Sequence, residues 1–241
     1  MLAIFRSNGV TVEPPRRLSE IGIQRHASIL LDSQSREAFS RLRRSFSNKL
    51  MFDDQSLTPR FRRGLQRERD YFEGGGKKPK SITKAALREH RKSSKRYGRA
   101  LRKQVFPCLT IRLVNPAVGY GLFAAEAIRK ETLMGEYSGV VREYLPNHQD
   151  KPTDGCHFFY HPNERVEYAE SAYIDPVDQG GFLQFVNHGN AGNIEFRHIF
   201  HNRSWRVIAI SLRTISKGQQ ILFEYPENFW EGTGIEPVEL A

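Results

Sequence analysis

The chain has 241 residues, with 37 Lys and Arg against 27 Asp and Glu, a formal net charge of +10. No stretch approaches the ~20 apolar residues of a membrane-spanning helix, and Met1-Leu2-Ala3-Ile4-Phe5-Arg6 is too short an apolar run for a secretory signal. Two cysteines, Cys108 and Cys156, exclude a disulfide framework or a cysteine-rich metal cluster and point to a reducing, intracellular setting.

The charge is unevenly spread. Residues 1–104 carry 26 basic and 10 acidic side chains, net +16, and the remainder carries 11 and 17, net −6. An acidic second part suits a basic partner. Residues 1–30 lack clear periodicity. Over 33–52, Phe39, Leu42, Phe46, Leu50 and Met51 recur at helical spacings and predict an amphipathic helix. A second helix is expected from Thr58 to Phe72, with Pro59 suited to its first turn. The run Gly74-Gly75-Gly76-Lys77-Lys78-Pro79-Lys80 breaks it, and a third, very basic helix is expected over 81–104. After Pro107 the character changes. Short β-rich runs at Leu109–Val114, Thr132–Tyr137, Tyr173–Ile174, Arg206–Leu212 and Gln220–Tyr225 alternate with turn residues, which predicts a mostly β domain of several small sheets. The division expected is a basic, largely helical extension over 1–104, a β domain over 105–232 and a tail over 233–241.

Four short segments recur in fixed order: Gly119-Tyr120-Gly121, Glu136-Tyr137-Ser138-Gly139, Phe185-Val186-Asn187-His188, and Gly218-Gln219-Gln220-Ile221-Leu222-Phe223-Glu224-Tyr225. Each is common alone. Together, over roughly residues 107–232, they resemble the SET domain of S-adenosylmethionine-dependent protein lysine methyltransferases. The resemblance implies a fold in which a C-terminal segment threads a loop as a pseudoknot. The absence of a cysteine-rich cluster after the domain is most like the short SET proteins of chlamydia-type bacteria, whose implied substrates are histones or histone-like proteins.

Methyl transfer to lysine needs two reactants held end to end and an unprotonated amine. A lysine of ordinary pKa, ~10.4, is neutral only about once in a few thousand at pH 7. An apolar channel beside a positive sulfonium depresses that pKa, so an aromatic tunnel fits the task. By resemblance, Tyr225 is the catalytic tyrosine, Tyr137 lies near cofactor and channel, and Tyr160 is a further channel residue for which core packing competes. Side chains alternate along a strand, so Phe223 faces the same side as Tyr225. The family uses that position as a product switch, and a Phe there leaves room for di- or trimethylation. The resemblance puts the cofactor against Val118, Gly119, Tyr120 and Gly121, with the two glycines allowing close backbone approach. Tyr137, Asn187, His188, Tyr225, Phe229 and Trp230 complete the cofactor set.

The family's Arg-Phe-x-Asn-His-Ser-Cys-x-Pro-Asn here reads Gln184-Phe185-Val186-Asn187-His188-Gly189-Asn190-Ala191-Gly192-Asn193, a change expected to loosen that loop. Glu224 and Pro226 are further departures. No metal is expected, because His198-x-x-His201 is tighter than the spacing of finger-type ligands. The segment Lys77–Lys103 holds twelve Lys and Arg with almost no acids. It suits nucleic acid, a nuclear-import signal or a solvated face. Two rivals to the enzyme remain, a nucleic-acid binder and a SET-like scaffold without catalysis. The N-terminal helices suit a homodimer, no membrane role is indicated, and the expected location is cytoplasmic or nuclear, the host nucleus if the chain is a secreted bacterial effector.

Overall fold

The computed structural model describes residues 29–31, 50–115, 118–143, 158–163, 166, 168–170, 172–176 and 179–226. Two helices and twelve strands are seen among them. Helix α1 spans Pro59–Phe72 and α2 spans Lys84–Lys103. Thr58 and Thr83 cap them, each side-chain oxygen accepting an N–H from the first turn, of Phe61 and Ala86 respectively. Thr58 also donates from its backbone N–H to Glu143, which ties the start of α1 to the β domain. The α1 face at Phe61, Gly64, Leu65 and Glu68 is buried, the spacing of one helical stripe. In α2 the inward stripe is Ala86, Ser93, Tyr97 and Leu101.

The strands are β1 Ile29–Leu31, β2 Met51–Phe52, β3 Leu109–Asn115, β4 Gly119–Ala124, β5 Leu133–Tyr137, β6 Val140–Glu143, β7 Phe158–Phe159, β8 Ala172–Asp175, β9 Asn187–His188, β10 Ile194–His201, β11 Ser204–Ser211 and β12 Leu222–Phe223. They form four small sheets, ordered β1-β3-β4, β10-β11-β5, β12-β9 and β2-β6-β8-β7. A mostly β fold of small sheets is what the turn-rich sequence leads one to expect. Of the predicted helix over 33–52, residues 33–49 lie outside the described residues. Its end is a strand, because Met51 pairs in parallel with Val140 and the Met51 and Asp53 N–H groups donate to Gly139 and Val141 at 3.0 Å. The run Gln220–Tyr225 is in a ladder only at Leu222–Phe223.

Strand β11 is buried along its whole length because both faces of its sheet are covered. Trp205, Val207 and Ala209 point into the main core with Phe61, Ile82, Tyr160 and Phe182. Ile208 and Ile210 point the other way, onto Tyr97 and Leu101 of α2. The helices therefore share the core of the β domain. His90 of α2 completes the contact: its Nδ1 accepts the Phe200 N–H at 3.1 Å, and burial, helped by Arg91, lowers its pKa to about 4.

Glu68 fixes α1 to this core. Its side chain is fully buried and accepts from His161 Nε2 (3.0 Å), Ser81 Oγ (2.6 Å), Tyr168 Oη (2.5 Å) and Trp205 Nε1 (2.7 Å). Burial alone would raise its pKa, but the bonds from His161, Ser81 and Tyr168 outweigh it and hold the carboxyl below its ordinary value. Among the described residues no helix is long and apolar enough to cross a membrane, and no three His, Cys, Asp or Glu side chains are grouped to hold a metal.

Candidate active site

Residues 218–225 run between two partners. On one side the Gly218 N–H donates to Ala124 and the Ile221 N–H to Leu122, both at 2.7 Å. On the other, β12 pairs in parallel with β9, matching Leu222 to Asn187 and Phe223 to His188. Asn193 clasps the crossing, donating from Nδ2 to the Gln220 carbonyl (2.7 Å) and accepting the Leu222 N–H at Oδ1 (3.0 Å). The separate motifs of the sequence thereby meet at one place.

The glycines on the 187–193 segment have a role that the sequence did not suggest. A Cβ at Gly189 would come within 2.8 Å of Leu222, and one at Gly192 within 2.7 Å of the Glu224 nitrogen. They let the segment press against β12, so the expectation of a loosened loop is corrected. Gln184 bonds locally, donating to the Gly181 carbonyl at 2.9 Å.

Gly119 and Gly121 also differ from each other. Gly119 has φ +80°, a left-handed conformation that favours glycine, and open space where a Cβ would stand. A Cβ on Gly121 would meet Gln220, Val114 and Asn187 at 2.6–3.0 Å. The close approach at Gly121 is therefore to protein atoms, and only Gly119 leaves room above the backbone. The buried Asn187 donates from Nδ2 to the Tyr120 carbonyl at 3.1 Å, joining β9 to β4. Val118 donates its N–H to Asn115 Oδ1 at 2.7 Å and sets the turn into β4.

Tyr225 stands at the edge of this cradle. Its N–H donates to His188 Nδ1 (3.1 Å) and its hydroxyl donates to the Val186 carbonyl (2.9 Å). Because His188 Nδ1 accepts, Nε2 carries the proton and donates to Asn190 Oδ1 at 3.0 Å. From Tyr225 a run of rings leads inward. Centroid separations are 5.7 Å from Tyr225 to Phe223, 4.9 Å from Phe223 to Phe196, 4.6 Å from Phe196 to Phe158 and 5.1 Å from Phe158 to Tyr137. These are contact distances for aromatic pairs. Tyr137 is buried and the other four are half-buried. Behind Tyr137, Arg206 donates to the buried Glu136 at 2.7 Å; burial raises the Glu136 pKa and the guanidinium opposes it.

The structure thus brings together Gly119, Tyr120, Gly121, Asn187, His188 and Tyr225, and beside them Tyr137 and Phe223. Tyr160 does not join them. It is fully buried between Phe52 and Phe61, with its hydroxyl accepting the Trp205 N–H at 3.3 Å, and it serves the core. Phe229 and Trp230 lie outside the described residues. Two members of the ring cluster, Phe158 and Phe196, were not singled out from sequence. Phe158 sat two positions from Tyr160 in the same aromatic run, and Phe196 alternates inward on β10.

Residues 119–226 match the family model of the SET domain, and the fold is the SET domain fold. Among curated relatives, the histone-lysine N-methyltransferase EZH2 of Chaetomium thermophilum is 29% identical over 119 residues, 47% of this chain and 8% of that protein. The human histone-lysine N-methyltransferase 2D is 30% identical over 116 residues, 46% of this chain and 2% of that protein. The chain thus spans less than a tenth of the length of these two relatives. A solved structure of ctPRC2 in an autoinhibited conformation bound to S-adenosylmethionine superposes with a TM-score of 0.44 at 22% identity, over 56% of this chain and 17% of that one.

Proposed function

We propose that this chain is an S-adenosylmethionine-dependent protein lysine N-methyltransferase acting on a basic protein, a histone or histone-like protein being the first candidate. The observation that carries the reading is the run of five rings from Tyr137 to Tyr225, which ends beside the cradle of β4 and β9. The relatives named above are histone-lysine methyltransferases. The likeness to short bacterial SET proteins rests on the sequence resemblance alone.

The residues present fit the cofactor. Open space above Gly119, the backbone of Tyr120 and His188, and the amide of Asn187 would hold it. When bound, it supplies an electrophilic methyl group on a positive sulfonium. The chain's own part is positioning and desolvation. Tyr137, Phe158, Phe196 and Phe223 offer a lysine side chain an apolar wall, which favours the neutral amine. The Tyr225 hydroxyl is fixed by its bond to the Val186 carbonyl, and its oxygen, as an acceptor, would orient that amine. The amine, its ammonium proton left to solvent, would be held by these rings with its lone pair towards the cofactor's methyl group. Phe223, lacking a hydroxyl, leaves room for a second and third methyl. The net charge of −6 after residue 104 draws a basic tail towards the site.

Incubation with labelled S-adenosylmethionine and mixed core histones tests this. Label in a histone band supports the reading. Cofactor binding by calorimetry without label moves the substrate to other basic proteins, and neither binding nor label leaves the non-catalytic scaffold.

A further inference from the structure

A cleft of about 530 Å³ opens where α1 meets the 79–82 turn, and none of its lining residues belongs to the aromatic site. Arg60, Arg63 and Arg67 form one wall and Lys80 stands in another; all four are exposed. The arginines recur at three and four residues, so they share one face of α1. At ~1.5 Å per residue they spread over about 10 Å of helix.

The floor is closely packed, and the hydroxyls in it are already engaged. Tyr168 packs so closely under Gly64 that a Cβ there would come within 2.2 Å of its ring. The hydroxyls of Tyr168 and Ser81 both turn inward to Glu68. Among the described residues, what the cleft offers outward is positive charge. Among the described residues no carboxylate lines it, and Arg63, Arg67 and Lys80 have no ion-pair partner there. The neighbouring Arg62, by contrast, faces Asp54. Beyond Lys80 the exposed cations continue along α2 at Lys84, Arg88, Arg91, Lys92 and Lys95.

We propose that this cleft is a docking site for the phosphate backbone of a nucleic-acid duplex, with Arg63, Arg67 and Lys80 each facing a phosphate. A guanidinium matches phosphate geometry with two parallel bonds. A strip of cations that outruns the cleft favours a polymer of regularly spaced anions over one small anion. Among the described residues the only aromatic ring lining the cleft, Tyr168, is buried, so bases are not stacked and binding is independent of sequence. The proposal stands apart from the methyltransferase reading, since a basic peptide is repelled here.

Fluorescence anisotropy of the full chain with a labelled duplex of about 20 base pairs, titrated from ~50 to ~200 mM salt, tests it. The triple variant Arg63→Glu, Arg67→Glu, Lys80→Glu is compared with Arg129→Glu, Lys130→Glu, Lys217→Glu, which makes the same charge change away from the cleft. All six side chains are exposed, and unfolding followed by circular dichroism checks that both variants are folded. We expect steep salt dependence in the wild type. The cleft variant should bind at least tenfold more weakly, with a log–log salt slope shallower by about 2–3, while the control stays within about twofold. Equal weakening in both variants overturns the proposal, since only overall charge would then matter. So does a wild type that fails to bind duplex at ~50 mM salt, or one that binds inorganic triphosphate in its place.

Discussion

Phe223 and Tyr225 show how far single residues could be read in advance. Alternation along a strand placed their rings on one side, and they stand 5.7 Å apart at the candidate site. If Phe223 leaves the room argued above, Phe223→Tyr should shift products towards monomethyl-lysine with little change in the first transfer. Mass spectrometry of the labelled protein checks this, and an unchanged product mixture would contradict it. Gly121 makes a second case, because its missing side chain is replaced by Gln220, Val114 and Asn187. Gly121→Ala should cost about 1–3 kcal/mol of stability in urea unfolding and weaken cofactor binding by spreading β4 from Asn187. A variant as stable as the wild type would show that these neighbours can yield. Phe158 and Phe196 were harder to find, since their role depends on which strands meet. Tyr160, an equally plausible aromatic by sequence, lies just past the end of β7 and is enclosed in the core by Phe52 and Phe61.

At the scale of elements, α1 was legible from Thr58, Pro59 and the glycine run after it, and α2 as the very basic run over 81–104. The strands next to glycines or charges were not, as β4 and β10 illustrate. Nor does the local sequence mark Glu68 as buried. Its partners His161, Tyr168 and Trp205 are 93, 100 and 137 positions away. Glu68→Ala leaves these donors unpaired in the core and should destabilise the chain by about 3–5 kcal/mol, read from denaturant midpoints. The carboxyl titrates below its ordinary value of 4.5 in the fold. Its contribution is therefore complete above that value and is lost as pH falls through the lowered pKa. Acid unfolding should be flatter in Glu68→Gln than in the wild type below pH 4.5. Identical acid profiles would assign the network no role in acid stability.

At the scale of the whole molecule, the charge boundary near residue 104 does not coincide with a boundary of the core. Phe61 and Ile82 pack with Trp205, and Tyr97 and Leu101 pack with Ile208 and Ile210. Composition reports surface charge, and core sharing across that boundary has no compositional signal. A fragment of residues 105–241 should accordingly lack cooperative unfolding, since both faces of the β10-β11-β5 sheet would lose cover. Calorimetry of the fragment checks this, and a sharp transition near that of the full chain would contradict it. The proposed catalysis rests on one hydroxyl, that of Tyr225, at the edge of the ring cluster. The most direct measurement is methyl transfer to basic protein by the full chain and by Tyr225→Phe, with cofactor affinity measured in parallel. We expect transfer to fall at least about a hundredfold while cofactor affinity stays within about threefold, because the variant loses only the Val186 bond and the orienting oxygen. Undiminished transfer by Tyr225→Phe would contradict the assignment of this site.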